Sequence, residues 1–189
     1  SAYHLGAQFF LWEYATAVAC AILNVNAFDQ PNVQDAKTRT TQKVIEYKTH
    51  GSLPMPAAAW QSDQTDVYCH DNALLVNAAS LADCLLIFKS WVNEGDFIGI
   101  NAFLPRNAEN QAELQKLRAT LLNQTGCPVT LGFGPRFLHS TGQLHKGGKN
   151  NGVFLQILGQ IVDDVEIPGQ DLSFGTMITA QALGDFEAL

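Results

Sequence analysis

The chain has 189 residues, 47% of them apolar and 15% charged, the balance of a globular protein with a buried core and not of a disordered one. That length allows one domain or two small ones. A net charge of -7 and a pI near 5.0 make the surface repel nucleic acid and anionic membranes, so an anionic ligand would need a local basic pocket.

Residues 3–24 are rich in Ala, Leu and aromatics, with apolar side chains on nearly every face. That pattern predicts a central helix packed on several sides. The run from Leu5 to Val25 is long enough to span a bilayer, but it carries Gln8, Glu13 and Thr16. A centrally placed Glu costs about 3 kcal/mol in lipid, so a buried helix of a soluble protein is the expectation, with no membrane partner. The sequence opens at Ser1 without Met and without a basic signal region, and enters this helix at once. A fragment of something longer is the expected reading. Cys20, Cys69, Cys84 and Cys127 show no CxxC spacing and are read as reduced thiols of a cytoplasmic protein.

Asn24 to Gln30 is a polar break. Asp29 can cap a second helix, with Pro31 near its first position and the helix running to about Lys48. Gly51-Ser52-Leu53-Pro54-Met55-Pro56 ends it, and residues 51–71 have no clear period and read as a linker or surface excursion. Residues 72–93 return to helical spacing through Leu74, Leu75, Ala78, Leu81, Leu85 and Phe88. Strands are predicted at Phe97 to Phe103, Val129 to Phe133 and Val153 to Leu158. Helices are predicted at Ala108 to Asn123, ending at Gly126, and at Phe174 to Leu189. Strand–helix–strand order predicts parallel pairing. The expected fold class is α/β, in three parts: a helical segment over residues 1–50, the linker over 51–71, and a small α/β subdomain with a short, mostly parallel sheet over 72–189.

Two polar constellations stand out. In the first, the start of the second helix offers free N–H groups and a partial positive charge, suited to phosphate. Gln30 lies at that end, and Lys37 follows seven residues on, two helical turns, on roughly the same face. The plain alternative is an ordinary cap and a solvated lysine. The second runs from Gly132 to Gly152 and holds three of the eleven Lys and Arg and two of the five His. It follows a strand, where α/β ligand loops belong. Its glycines free the backbone, and Arg136 can hold phosphate oxygens bidentately. Ser140, Thr141, His145 and Lys146 are the further substrate-binding candidates, and His139 and His145 suit acid/base work near neutral pH. A mobile surface loop and a structural His are the alternatives. The two His lie six apart with no clear third ligand, so no metal site is expected.

Leu23-Asn24-Val25-Asn26-Ala27-Phe28-Asp29-Gln30-Pro31-Asn32-Val33-Gln34-Asp35-Ala36-Lys37 resembles the signature of glucose-6-phosphate isomerases. In words, that signature is Ile-Asn-Pro-Phe-Asp-Gln-(Pro or Trp)-Gly-Val-Glu, two residues, then Lys. Leu5-Gly6-Ala7 and Trp12-Glu13-Tyr14-Ala15-Thr16-Ala17-Val18 are similar to the preceding family helix, so this match covers roughly the first 40 residues. Asn32, Gln34 and Ala27 depart from the family's Gly, Glu and Pro or Ser. Gly134-Pro135-Arg136-Phe137-Leu138-His139-Ser140-Thr141-Gly142-Gln143-Leu144-His145-Lys146-Gly147-Gly148 and the ending Phe174-Gly175-Thr176…Ala180-Gln181-Ala182-Leu183-Gly184-Asp185 are similar to stretches near the end of transaldolase–isomerase fusion proteins. With both, the resemblance spans most of the chain.

The resemblance implies the C-terminal part of a sugar-isomerase (SIS-type) domain that interconverts glucose 6-phosphate and fructose 6-phosphate through a cis-enediol, without metal or organic cofactor. It implies that Lys37 contacts the sugar ring and assists its opening, that Gln30 lies close to the substrate, and that Glu13 is structural. The family's base glutamate and histidine would lie upstream, so the isolated fragment is expected to be inactive and to need the missing N-terminal part of the same protein. A non-catalytic sugar-phosphate-binding module and an assembly domain stay open as alternatives, as does a homodimer.

Overall fold

The computed structural model describes residues 2–135 and 138–189, without the side chains of residues 138–141. The chain divides into two compact units, Ser1–Pro31 and Asn32–Leu189. The division therefore falls ahead of the second helix, not after it as the sequence suggested.

The N-terminal unit consists of helix α1 (Ala2–Leu23) and the irregular residues that follow. Ala, Leu and straight-chain residues favour the helix, and no Pro or interior β-branched cluster opposes it. None of its residues is buried, and Phe9, Phe10, Trp12 and Tyr14 are all more than half exposed. The expected burial on several sides is not met, because one helix cannot cover its own apolar surface.

In the second unit, helix α2 (Pro31–His50) begins at the proline, whose missing N–H and fixed φ suit the first helical position. Residues 51–71 contain more than a linker. Strands β1 (Trp60–Gln61) and β2 (Asp66–Val67) pair antiparallel, and Ser62 Oγ accepts the N–H groups of Gln64 and Thr65 across their turn. Residues 72–93 do not form one helix. A short 3-10 turn (Asn72–Leu75) precedes helix α3 (Leu81–Ser90). Ser80 Oγ accepts from Asp83 N, and Asp83 Oδ2 accepts from Ala79 N and Ser80 Oγ. That reciprocal cap makes a helix start at Ser80 more favourable than continuation from Leu75.

Strands β3 (Phe97–Phe103), β4 (Val129–Phe133) and β5 (Gly152–Leu158) form a parallel sheet in the order β4–β3–β5. Helix α4 (Ala108–Thr125) joins β3 to β4 and ends at Gly126, whose φ of 70° suits glycine. Helix α5 (Leu138–Gly147) occupies the stretch that read as a loop, and helix α6 (Phe174–Ala188) closes the chain. The protein is thus of mixed α/β class.

The central strand is covered on both faces, which explains why Phe97–Phe103 reads as a nearly continuous apolar run. On one face Ile98, Ile100 and Ala102, in register with Val129, Leu131 and Phe133 of β4, pack with Phe88 of α3 and Leu114 and Leu121 of α4. Burying Ile98 and Ile100, both 0% exposed, contributes roughly 2–3 kcal/mol each. The other face carries Gly99, Asn101, Phe154 and Gln156. A Cβ on Gly99 would sit 2.6 Å from the Phe154 ring, so only glycine leaves space for that aromatic. Gln156 donates to Ala182 O at 2.9 Å, which ties α6 to this face.

Helix α6 is itself covered from outside by α2. A Cβ on Gly184 would stand 2.6 Å from Thr40 Oγ1 and 3.0 Å from Thr40 N, so the two backbones approach closely there. Lys43 pairs with Glu187 at 2.7 Å along the same contact. At the other end of α6, Asp164 Oδ2 accepts from Ser173 Oγ at 2.6 Å and Oδ1 accepts from Gly175 N at 2.7 Å. Hydrogen bonding from Ser173, then from Gly175, holds the Asp164 carboxyl below the usual carboxylate range.

Candidate functional site

The approach of α2 to α6 leaves a cavity of about 210 Å³. Val33, Ala36, Lys37, Thr40 and Thr41 line it from α2, Gln181 and Asp185 from α6, Lys146 from α5, and Pro135 from the turn after β4. The spacing follows from helix geometry: Val33, Ala36, Lys37, Thr40 and Thr41 recur at three and four residues, and Gln181 and Asp185 lie one turn apart. A void of this size lies below the range of about 300–1,000 Å³ typical of drug-sized ligands. It suits a small polar molecule.

Its charges are arranged unevenly. Lys37 is exposed, and its ammonium makes no hydrogen bond or ion pair with the described residues. The Lys146 side chain is only 2% exposed and meets Asp185, 10% exposed, at 2.5 Å. A buried lysine tolerates such a position only when a carboxylate compensates its lost hydration. Thr40 Oγ1 donates to Ala36 O and Thr41 Oγ1 to Lys37 O, so both hydroxyls face a ligand mainly as acceptors. Gln181 is half-buried, and its amide has no partner among the described residues.

The structure therefore brings together two of the residues singled out in the sequence, Lys37 and Lys146, from the two separate constellations. The others distribute differently. Gln30 stands exposed directly before α2, in the N-terminal unit. Glu13 is exposed on α1. His145 is not among the cavity residues; its ring packs edge-on against Phe97 and Phe154, with centroids 5.7 and 5.5 Å apart. That packing is compatible with the structural alternative read from the sequence. Arg136 lies outside the described residues, as do the side chains of His139, Ser140 and Thr141, whose backbone belongs to the N-terminal half of α5. Among the described residues no group of three His, Cys, Asp or Glu could hold a metal ion.

The start of α2 is also different from the sequence picture. The Asn32 N–H donates to Gln143 Oε1 at 3.0 Å, and Gln143 Nε2 donates back to Asn32 Oδ1 at 2.8 Å. This reciprocal amide pair docks α5 onto α2 and occupies an N–H that a phosphate would otherwise use. Asn32 stands where the resembled signature has Gly, so that departure acquires a role: its side chain completes the pair. A Cβ at Gly147 would strike Asn32 Oδ1, so the end of α5 is shaped to admit it.

Sequence reading missed Gln181, Asp185, Thr40, Thr41 and Pro135 as cavity residues. For Asp185 a signal was present, since an acidic residue within Ala180-Gln181-Ala182-Leu183-Gly184-Asp185 interrupts a small-residue apolar run that must be buried. For Thr40 and Thr41 there was none, because threonines on an exposed amphipathic helix are ordinary.

Comparison with protein-family models, with curated proteins and with solved structures finds no match to this chain.

Proposed function

We propose that this chain is the C-terminal portion of a cytoplasmic isomerase of SIS-type architecture that interconverts glucose 6-phosphate and fructose 6-phosphate, in a transaldolase–isomerase fusion or a long isomerase related to one. The observation that carries this reading is the shared cavity: Lys37, at the end of the signature-like segment, and Lys146, in the second resembling segment, line one small polar space. Two stretches more than a hundred residues apart, each picked out by the same family, would have no reason to converge if both were incidental. In this reading Lys37 holds the anionic substrate and assists ring opening, since an unpaired exposed ammonium is an available donor and charge. The proton-transfer base comes from the N-terminal part of the longer protein, and no metal or organic cofactor takes part.

A second reading, sugar-phosphate binding without catalysis, is favoured by one observation. His145, the titratable candidate for proton transfer, sits against Phe97 and Phe154 and not on the cavity.

The test begins with the 189-residue chain. Fructose 6-phosphate added to it at millimolar concentration should shift backbone amide resonances of Lys37, Thr41 and Gln181 and leave those around Phe97 and Phe154 in place. Absence of any saturable shift in this chain, together with absence of binding by the longer protein that supplies the N-terminal part, would remove both readings. Lys37→Ala in the longer protein then separates them: an isomerase should lose turnover in a coupled assay by about a hundredfold or more, whereas a sensor loses affinity only.

A further inference from the structure

The middle of the parallel sheet carries two polar side chains that neither the apolar core nor the cavity explains. Asn101 of β3 and Gln156 of β5 are partners in the strand register, so both side chains leave the same face of the sheet. Asn101 is 2% exposed. Its Nδ2 and the Oε1 of Gln156 are both buried, and neither has a hydrogen-bond partner among the described residues. The rows on either side are Gly99 with Phe154 and Phe103 with Leu158, which offer no polar side chain to either amide.

A buried amide atom left unpaired destabilises a fold, and native structures seldom leave one. Here a donor on one strand and an acceptor on the next are left over together, without a direct bond between them. The Gln156 amide is oriented from its other side: Nε2 donates to Ala182 O at 2.9 Å. A carbonyl only accepts, so the nitrogen must face α6 and the oxygen is the atom left over. A group that accepts from Asn101 and donates to Gln156 satisfies both, and water or a hydroxyl does this. Both atoms are closed off from solvent, so a ligand hydroxyl would have to part α6 from the sheet to reach them. A water enclosed during folding needs no such opening, and buried waters are held by roughly two to four polar partners.

We propose that Asn101 and Gln156 hold one internal water molecule between the sheet and α6, which accepts from Asn101 Nδ2 and donates to Gln156 Oε1. The water joins β3, β5 and α6 in one hydrogen-bonded chain that ends on Ala182 O. Ala182 directly follows Gln181, which lines the cavity. Asn101 and Gln156 are therefore positioning residues for that wall, whatever the cavity binds.

The experiment measures nuclear Overhauser effects from water to the Asn101 side-chain amide in the 189-residue chain, with a crystal structure at atomic resolution as the second measurement. Wild type should show a cross-peak from the Nδ2 protons to water with the sign of a long-lived contact. The crystal should show an oxygen about 2.7–3.2 Å from both Asn101 Nδ2 and Gln156 Oε1. Gln156→Met, which removes one of the two partners, should weaken the cross-peak severalfold. Asn101→Leu should lower the folding equilibrium constant about fivefold, the worth of one hydrogen bond, because it strands Gln156 Oε1. A wild-type site that is dry, or one in which Asn101 donates directly to Gln156 with no oxygen between them, overturns the proposal. So does an Asn101→Leu variant more stable than wild type, the result expected if the Asn101 amide had no partner to lose. Should Asn101→Leu fail to fold, the two wild-type measurements decide by themselves.

Discussion

Replacing Asp185 by Asn removes one charge from a pair that joins α5 to α6 at 2.5 Å. Lys146, with 2% of its side chain exposed, cannot recover its hydration by a small rotation. Breaking a buried pair from one side costs about 3–5 kcal/mol, against a total stability of about 5–15 kcal/mol for a domain. For a chain of this size each kcal/mol moves the thermal midpoint by about 2–4 °C, so a fall of roughly 6–20 °C is expected. The assay is urea denaturation followed by far-UV circular dichroism at 25 °C, pH 7, with the slope checked for constancy. The double variant Lys146→Met/Asp185→Asn should recover the part of the loss that comes from the stranded ammonium, because an apolar side chain at 146 needs no hydration. Glu113→Gln supplies the comparison: its pair with Lys116 has side chains 65% and 70% exposed, and its loss should stay within about 0.5 kcal/mol. A loss below about 1 kcal/mol for Asp185→Asn, or a double variant as unstable as the single one, would refute the argument that burial makes this pair matter.

Other outcomes follow from neighbouring contacts. Because the Asp164 carboxyl is held below its ordinary value of 3.8 by hydrogen bonds from Ser173 and Gly175, the unfolded chain takes up its proton first as pH falls. Its stabilising contribution is therefore complete above about pH 4 and disappears as pH drops through the lower folded value. Asp164→Asn should flatten the fall in thermal midpoint as pH drops below about 4, and parallel curves for wild type and variant would contradict this. Gly184→Ala should cost about 1–3 kcal/mol in the same urea assay, since its Cβ would meet the Thr40 backbone nitrogen at 3.0 Å; Thr40→Ser should not relieve it. Burial pushes the Cys84 thiol up, so native-state alkylation with iodoacetamide at pH 8, read by peptide mass, should modify the partly exposed Cys69 well before Cys84.

The three strands, and helices α4 and α6, were legible because each carries its own local signal. Phe97–Phe103 is an apolar run too short for a helix and bounded by turns. Residues 108–125 end on Gly126, which the left-handed helix end requires. Helix α5 was not legible, because six of its ten residues are Gly, Ser, Thr or His, which favour helix only weakly. Contacts remote in sequence stabilise it instead: Gln143 with Asn32, Lys146 with Asp185, and the His145 ring on Phe97 and Phe154. The break at Ser80 was missed for a related reason. Leu74, Leu81, Leu85 and Phe88 keep helical spacing across a gap that a single capping serine interrupts.

Of the candidate site, the sequence by itself determined Lys37 and Lys146 as polar positions worth attention, the parallel α/β order, and the acidic balance that makes a local cationic pocket necessary. Only the tertiary structure decided that these two lysines share a space, that His145 does not, and that Gln181 and Asp185 complete it. The reason is that periodicity reports which face of an element is apolar, whereas a cavity depends on which faces of different elements meet. Here that meeting is set by Gly184 against Thr40 and by the Asn32–Gln143 amide pair, contacts between residues more than a hundred positions apart that no local pattern encodes.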